Sequence, residues 1–266
     1  MKILKSQCNI EVLSYTHEYV KAIINAARTC YDSFDKSNTI SDEKLVRTLI
    51  ASGHEAMLEM ADMTIRFKNI SRGFTHQIVR HRLASFAQKS TRYIDESNLH
   101  VVVPPHVDEN KDIICLNEQP HIEFPDYPLD INLEKWLETN ETVYSQLIQN
   151  GWKLEDARQV LPIGTKTEIV VKANMREWRK IFELRTAKGA HWEIRKAILK
   201  VLEFTKNHMP ILVEDFKIMD DYAIKYESIH KLIKMIRNHA LAKDKKLRDV
   251  IMELGNTAHI WDDDWK

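Results

Sequence analysis

Glycine is scarce in this chain of 266 residues, and the few glycines stand apart from one another. They are Gly53, Gly73, Gly151, Gly164, Gly189 and Gly255. A dinucleotide-binding Rossmann sheet needs the pattern G-x-G-x-x-G, and a P-loop needs G-x-x-x-x-G-K followed by Ser or Thr. Isolated glycines form neither pattern, so the sequence excludes both. Any bound nucleotide must therefore be held by guanidinium groups and helix N-termini.

The residues from 63 to 94 include no aspartate or glutamate, although the whole chain balances 39 basic against 39 acidic residues. Within that stretch lie seven cationic residues, Arg66, Lys68, Arg72, Arg80, Arg82, Lys89 and Arg92. Residues 66–92 are called the basic segment below. A cluster of like charges repels itself unless an anion binds to it. The sequence therefore predicts a phosphate site in the basic segment, because arginine forms paired hydrogen bonds to phosphate oxygens.

Composition is that of an ordinary globular protein, because 44% of the residues are hydrophobic and 29% are charged. A formal net charge of zero argues against general binding to nucleic acids or membrane surfaces. No apolar run approaches the length that spans a bilayer, and the N-terminus lacks the apolar core of a signal peptide. Three widely separated cysteines, Cys8, Cys30 and Cys115, favour a reducing compartment. We therefore expect a cytoplasmic protein.

Helical spacing of apolar residues predicts most of the regular structure. The predicted helices cover residues 17–31, 42–52, 72–83, 133–151, 155–161, 174–185 and 190–208. Thr16 and Asn174 are candidate N-caps, because a side-chain oxygen there can accept a hydrogen bond from an N–H of the first helical turn. Arg72, His76 and Arg80 recur every four residues, so we expect them to share one helix face.

Strands are predicted at fewer places. Strict alternation of apolar and polar residues from Met63 to Lys68 predicts a half-buried strand, and shorter strands are predicted at 101–103 and 168–172. Five of the seven prolines lie between residues 104 and 130, which predicts an irregular insertion. Residues 220–254 are predicted to form two charged amphipathic helices. Helices therefore dominate, with a modest number of strands between them.

One dense motif resembles a known family. Arg80-His81-Arg82 is followed after seven residues by Ser90 and then by Thr-Arg-Tyr. This pattern resembles the signature of the flavin-dependent thymidylate synthases, the thymidylate synthase complementing protein family. Further blocks that resemble the family, in the family's order, are Ala26–Tyr31, Ser52–Glu59, Arg72–Gln77, Asp156–Pro162, Asn174–Trp178 and Glu183–Thr186. The resemblance extends from about residue 8 to residue 213.

The resemblance implies a fold and an activity. The implied fold class is α+β, with a mixed α/β core, helical flanks and no Rossmann-type sheet. Residues 1–214 would form the catalytic domain, and residues 215–266 a helical C-terminal extension of unknown role. The implied reaction is reductive methylation of dUMP to dTMP, with 5,10-methylenetetrahydrofolate as carbon donor, FAD as flavin and NADPH as reductant. It implies no metal, and a homotetramer whose active sites are shared between subunits.

The resemblance also assigns residues to the substrate. Arg185 would be catalytic, because a guanidinium that holds the N3-deprotonated or enolate-like pyrimidine raises the electron density at C5. The residues implied to bind dUMP are Gln77, Ile78, Val79, Arg80, Gln88, Lys89, Ser90, Thr91, Arg92, Arg158 and Arg185. Among these, Ser90 and Arg92 would hold the phosphate.

A second group is implied to bind the flavin. It comprises Ala56, Arg80, His81, Arg82, Gln88, Asn174, Met175 and Arg176. Weaker candidates are His54, Lys180 and His191. A histidine beside a helix-terminal glycine and an exposed lysine each have an ordinary structural explanation, so these three are kept apart from the main set.

Three alternatives stay open on the sequence. A cysteine nucleophile would need an activated thiol, and the best candidate, Cys30, is expected to be a small buried residue of an apolar helix. A nucleic-acid-binding protein could use the 66–92 segment, with tight and salt-dependent affinity for oligonucleotides. The third alternative is a family member that binds nucleotide without turnover. Against it speaks the joint retention of Arg80, His81, Ser90, Arg92, Arg158 and Arg185.

Overall fold

A computed structural model describes residues 2–5, 8–36, 38–105, 107, 113–115 and 130–226. Its strands in chain order are β1 (Lys2–Lys5), β2 (Asn9–Tyr15), β3 (Asp62–Ser71), β4 (Ala84–Gln88), β5 (His100–Val103), β6 (Ile113–Cys115), β7 (Asp130–Asn132), β8 (Lys166–Asn174), β9 (Phe216–Ile218) and β10 (Ala223–Lys225). Its α-helices are α1 (Tyr19–Tyr31), α2 (Thr39–Ala51), α3 (Arg72–Ile78), α4 (Leu133–Gln149), α5 (Leu154–Ala157), α6 (Met175–Arg185) and α7 (Trp192–His208). Short 3-10 helices cover Phe34–Lys36, Glu55–Met60, Arg158–Val160 and Pro210–Val213. The predicted α+β class is confirmed.

The central sheet is antiparallel, with strand order β2-β3-β8-β4. The predicted alternation of β3 is confirmed, because Met63, Ile65 and Phe67 are fully buried while the residues between them are half-buried. Alternate side chains of a strand point to opposite faces, so this pattern gives β3 one apolar face. A separate parallel pair, β1 and β5, lies beside the sheet.

Helices α6 and α7 pack on the apolar face of the sheet. Trp178 and Phe182 of α6 and Ile198 of α7 are fully buried in the same core cluster as β3. The Trp178 indole N–H donates to the Met63 carbonyl at 2.9 Å, which attaches α6 to β3. The predicted N-cap of α6 is confirmed, since the Asn174 side chain accepts from the Glu177 N–H. This packing fixes the direction in which α6 presents its last residue, Arg185.

Several helix ends differ from the sequence prediction. The third helix ends at Ile78 instead of Leu83, because the chain after a short turn forms β4 and pairs with β8. Arg80 therefore lies beyond the helix and does not continue the face of Arg72 and His76. Thr16 is not an N-cap: its side chain hydrogen bonds to Asp62, and the residue before α1 is Glu18.

Two other segments gain strands that periodicity missed. Within the proline-rich insertion, β6 pairs antiparallel with β7, while residues 106, 108–112 and 116–129 lie outside the described part. At the C-terminal end, β9 and β10 form an antiparallel pair instead of the start of a helix, because the Ala223 N–H donates to the Thr186 carbonyl at the end of α6. The rest of the predicted helical tail, from 227 onward, lies outside the described residues.

A buried arginine ties this last strand pair to the core. Arg179 of α6 is only 2% exposed and donates to Glu55, to Asp215 and to the Leu212 carbonyl. A buried guanidinium is tolerated only when its hydrogen bonds and its charge are matched in this way. Across the described ranges, no helix combines the length and apolarity that a membrane-spanning segment needs.

Candidate active site

Four cations of the basic segment have acidic partners outside the segment. Arg66 forms an ion pair with Glu168, Lys68 with Glu11, Lys89 with Glu96 and Arg92 with Glu155. The expectation that the whole segment lacks neutralising charge is therefore wrong for these four cations. Strands β2 and β8 flank β3, so their glutamates reach Arg66 and Lys68, while Lys89 and Arg92 pair with glutamates outside the central sheet.

Five other arginines keep an unneutralised charge. Among the residues that the structure describes, no ion pair within 4 Å includes Arg72, Arg80, Arg82, Arg158 or Arg185. Three of them come from the basic segment, and the other two follow α5 and end α6. Unpaired arginines gathered from separate elements are typical of a surface that binds an anionic ligand.

Two of these arginines line a cavity of about 370 Å³. Its polar lining comes from Arg72, His76, Thr91, Arg158, Gln159 and Thr165. The Arg72 side chain donates to the Lys89 carbonyl at 3.0 Å, and the Arg158 side chain donates to the Thr91 hydroxyl at 3.4 Å. Burial lowers the pKa of Arg72 and the nearby Arg158 lowers it further, while Glu96 acts in the opposite direction. An anion in this cavity would relieve that repulsion.

Backbone hydrogen bonds build the wall of the cavity. The first N–H groups of α3, at Arg72 and Gly73, donate to the carbonyls of Thr165 and Ile163. Gly164 lets this loop approach β5 closely, because an added Cβ would lie 2.9 Å from the Val101 side chain. The cavity is thus shaped by the contact between α3 and the loop that precedes β8.

A second group of site residues meets at the other end of α3. Arg185 donates from Nε to His81 Nε2 at 3.0 Å and from Nη2 to the Gln77 carbonyl at 3.0 Å. His81 Nδ1 lies 3.0 Å from Glu177 Oε1. Burial lowers the pKa of Arg185, and the neighbouring Arg80 lowers it further. Arg185 therefore lies among cations and a histidine, with its charge available to a ligand.

Burial also lowers the pKa of His81. The Glu177 carboxylate opposes this shift, while Arg185 and Lys180 add to it. The imidazole is therefore neutral near pH 7. A neutral His81 can accept a hydrogen bond from Arg185, which an imidazolium could not do.

The remaining residues implied to bind dUMP lie around these two groups. Gln88 donates from its side-chain amide to the Thr75 hydroxyl, and the Ser90 hydroxyl accepts from the Arg92 N–H. The Ile78 side chain is fully buried in the core, so only its backbone is open to a ligand. Val79 is exposed. Lys89 and Arg92 already have carboxylate partners, as described above.

The residues implied to bind flavin come from the start of α6, the 3-10 helix before β3, and the turn and strand that follow α3. Asn174 caps α6, and the Met175 side chain is fully buried. Arg176 is exposed and pairs with Glu59 at 2.6 Å. Ala56 is exposed on the 3-10 helix. Arg80 and Arg82 are also exposed, on either side of the buried His81.

Of the three weaker flavin candidates, Lys180 and His191 contact other residues, and His54 is exposed to solvent. Lys180 is exposed and lies 3.5 Å from Glu183. His191 caps α7 by accepting from the Glu193 N–H. His54 is exposed before the 3-10 helix that carries Ala56.

Sequence reasoning missed two residues of the site. Arg72 belongs to the predicted basic helix face, but nothing in the sequence shows that it lines a cavity with Arg158. Glu177 was not singled out, because an acidic residue in the first turn of a helix is commonly explained by the helix dipole. No local signal distinguishes a glutamate that contacts His81 from one that faces water.

The structure describes two cysteine side chains, Cys30 and Cys8. Cys30 is exposed in the last turn of α1, so the expectation that it is a buried core residue is wrong. It continues the stripe of Ile23 and Ala27, but the helix extends there beyond the packed face, and the adjacent Thr29 is exposed as well. Burial raises the pKa of Cys8 to about 12, so that thiol is protonated at neutral pH. Within the described ranges, no group of three or more His, Cys, Asp or Glu side chains could hold a metal ion.

A protein family and several named proteins match this chain. Residues 11–211 match the family described as "Thymidylate synthase complementing protein". A protein of Pyrococcus furiosus named flavin-dependent thymidylate synthase is 34% identical over 207 residues, which is 73% of this chain and 77% of that protein. A protein of the same name from Corynebacterium diphtheriae is 32% identical over 196 residues, with 72% of this chain and 77% of that protein covered.

A solved structure shares the fold. The UMP/dUMP methylase PolB from Streptomyces cacaoi, bound with 5-Br dUMP, superposes with a TM-score of 0.64 at 22% sequence identity. The alignment covers 80% of this chain and 96% of that one. At this identity the likeness concerns the fold alone. The family match spans well over half of the sequence and includes every element from α1 to α7, so this chain belongs to the thymidylate synthase complementing protein family.

Proposed function

We propose that this chain is a flavin-dependent thymidylate synthase that methylates dUMP to dTMP. The observation that carries the proposal is the set of five arginines without carboxylate partners in the described residues, gathered from four parts of the chain. Such a set of guanidinium groups can bind a nucleotide, because arginine forms charge-assisted hydrogen bonds to phosphate and to the polar atoms of a ring. Family membership supports the same substrate, since the relatives are named for this reaction.

The cavity beside α3 is the proposed phosphate site. Arg72 and Arg158 both line it, and Thr91 adds a hydroxyl. Ser90 and Arg92 lie on the adjoining loop, where Arg92 would exchange Glu155 for phosphate. A charge-assisted hydrogen bond to phosphate contributes about 1.5–3 kcal/mol. Two such bonds would be enough to hold the nucleotide in one orientation.

Arg185 is the proposed catalytic residue. Uracil C5 is a weak nucleophile, and a guanidinium close to the ring oxygen and nitrogen would stabilise the N3-deprotonated, enolate-like form of the pyrimidine, which has more electron density at C5. Arg185 is suited to this because its described partners are uncharged, a histidine nitrogen and a carbonyl. The mechanism needs no cysteine nucleophile.

FAD is the proposed cofactor, held by Arg80, His81 and Arg82 with Ala56, Asn174 and Arg176. The exposed guanidinium groups of Arg80 and Arg82 suit a pyrophosphate, and both lack a carboxylate partner among the described residues. When bound, the flavin supplies the hydride that reduces the transferred carbon. In this arrangement His81 stays neutral and orients Arg185, and Arg176 would leave Glu59 to reach the cofactor.

We further propose the co-substrates and the assembly that the family resemblance implies. These are 5,10-methylenetetrahydrofolate as carbon donor, NADPH as reductant of the flavin and a cytoplasmic homotetramer with shared active sites. Residues 1–214 would be the catalytic domain and 215–266 an extension. The described start of that extension, 215–226, packs against α6, so it is proposed to stabilise the helix that carries Arg185.

Replacement of Arg185 by alanine tests the proposal. We expect the Arg185→Ala protein to form no dTMP from dUMP, reduced flavin and methylenetetrahydrofolate, while it retains bound FAD. Arg66→Ala is the matched control, because Arg66 is paired with Glu168 and does not line the cavity. Loss of FAD from the Arg185→Ala protein would show that this arginine binds cofactor and does not act on the pyrimidine.

The alternative of a nucleic-acid-binding protein loses support from the ion pairs. Arg66, Lys68, Lys89 and Arg92 are compensated by glutamates, which leaves fewer charges for a phosphate backbone. Binding to oligonucleotides with a steep dependence on salt, together with no uptake of FAD, would restore that alternative.

A further inference from the structure

Glu177 is a buried carboxylate with no role in the function proposed above. It lies in the first turn of α6 and is 7% exposed, while its neighbour His81 is 5% exposed. The Glu177 Oε1 to His81 Nδ1 distance is 3.0 Å, and the His81 Nε2 to Arg185 Nε distance is also 3.0 Å. Three side chains thus form a continuous line of hydrogen bonds that ends at the proposed catalytic arginine.

The donor and acceptor roles along this line follow from the chemistry of the groups. A guanidinium has only donors, so His81 Nε2 must accept from Arg185. The proton of the neutral imidazole is then on Nδ1, and it donates to the Glu177 carboxylate, which has only acceptors. The glutamate therefore selects the one tautomer of His81 that can hold Arg185.

We propose that Glu177 is a positioning residue for Arg185 and acts through His81. The proposal rests on the function proposed above and extends it to a residue outside the signature motif. Without the carboxylate, the Nε2–H tautomer becomes accessible, and its proton would face the N–H of Arg185. The guanidinium would then lose its fixed position beside the pyrimidine.

The insertion of a histidine between carboxylate and arginine has a chemical advantage. Arg179 on the same helix binds Glu55 and Asp215 directly, and its charge is neutralised by them. A direct carboxylate partner would neutralise Arg185 in the same way and weaken its effect on the pyrimidine. A neutral imidazole orients the guanidinium through one hydrogen bond and leaves its positive charge for the substrate.

The second contact of Arg185 completes the restraint. Its Nη2 donates to the Gln77 carbonyl, so the guanidinium is held at two of its nitrogens. One nitrogen, Nη1, makes no hydrogen bond to a described residue. The Arg185 guanidinium is therefore fixed at one edge and can donate from Nη1 to a ligand, and binding would cost little additional conformational entropy.

The pH dependence offers a readout that a purely structural role would not change. The charged groups of the described chain that act on His81 are Glu177, Arg185 and Lys180, all on α6. Protonation of His81 at low pH removes the acceptor of Arg185, so activity should fall on the acid side. Glu177 stabilises the imidazolium, hence its replacement by glutamine should move this acid limb to lower pH.

The experiment compares Glu177→Gln with Glu177→Ala in the full-length protein. The glutamine keeps an acceptor for His81 Nδ1–H, so we expect turnover near the wild-type rate with the acid limb of kcat moved to lower pH. The alanine removes the acceptor, and we expect kcat to fall by about 100-fold, the cost of a small misplacement of a catalytic group. KM for dUMP and the FAD content should change little. Glu203→Gln, an exposed glutamate of α7, is the control for loss of a charge.

The tautomer of His81 provides a test that does not depend on turnover. In ¹⁵N spectra of the histidines, with His81→Gln used for assignment, we expect an Nδ1–H imidazole in the wild type and a shift toward Nε2–H in Glu177→Ala. An unchanged kcat in a folded Glu177→Ala protein, or an Nε2–H tautomer in the wild type, would overturn the inference. A wild-type protein that forms no dTMP but shows the Nδ1–H tautomer would instead contradict the proposed function alone.

Discussion

Arg158 offers the most direct test of where the phosphate binds. Its side chain lines the cavity, is exposed and makes one long hydrogen bond, 3.4 Å, to Thr91. Its replacement by alanine should therefore change the free energy of unfolding by no more than about 0.5 kcal/mol, as for surface substitutions in general. Any larger effect must appear in ligand binding.

The expected loss of affinity follows from a single charge-assisted contact. Removal of one such hydrogen bond to phosphate costs about 1.5–3 kcal/mol. At 1.4 kcal/mol per factor of ten, the Kd for dUMP should rise roughly 10- to 140-fold. Deoxyuridine has the same base and sugar without the phosphate, so its Kd should not change in the Arg158→Ala protein.

The assay uses the visible absorption of the bound flavin. A flavin band that shifts on addition of dUMP would place both ligands in one site, and the dependence of the shift on dUMP concentration gives Kd. Arg66→Ala, whose charge is already paired with Glu168, is the control and should bind dUMP as the wild type does. An equal loss of affinity for dUMP and deoxyuridine, or no loss for either, would refute a phosphate contact at Arg158.

Two further predictions concern stability and mechanism. Arg179→Met leaves Glu55 and Asp215 without their buried partner and should lower the free energy of unfolding by about 3–5 kcal/mol. Thermal unfolding followed by circular dichroism checks this, and a melting temperature within about 2 °C of wild type would contradict it. Cys30→Ser should retain dTMP formation, because that thiol is exposed at the end of α1 and the proposed mechanism does not use it. A folded but inactive Cys30→Ser protein would instead point to a thiol nucleophile.

Much of the secondary structure could be predicted from local patterns. The alternation in β3, the Asn174 cap of α6 and the helical spacing of α7 are set by neighbours within a few residues, and all three are confirmed. The end of α3 could not be predicted from neighbouring residues. Residues 79–83 do not continue the helix because the chain turns there into β4, and the pairing of β4 with β8 depends on residues more than 80 positions away.

The features of the site also fall into those that the sequence identifies and those that depend on the fold. The sequence by itself determined the family, the signature motif and the candidate Arg158 and Arg185, because residue types at fixed spacing carry that information. It could not determine which charges are neutralised: Arg66 meets Glu168 across 102 residues of sequence.

Only the tertiary structure decided that Glu177 meets His81 and that Arg72 and Arg158 line one cavity. Burial and ion pairing arise from the packing of strands and helices that are distant along the chain, and no local spacing records them. Periodicity therefore predicts the elements, whereas the side-chain partners that tune the site are set by the fold.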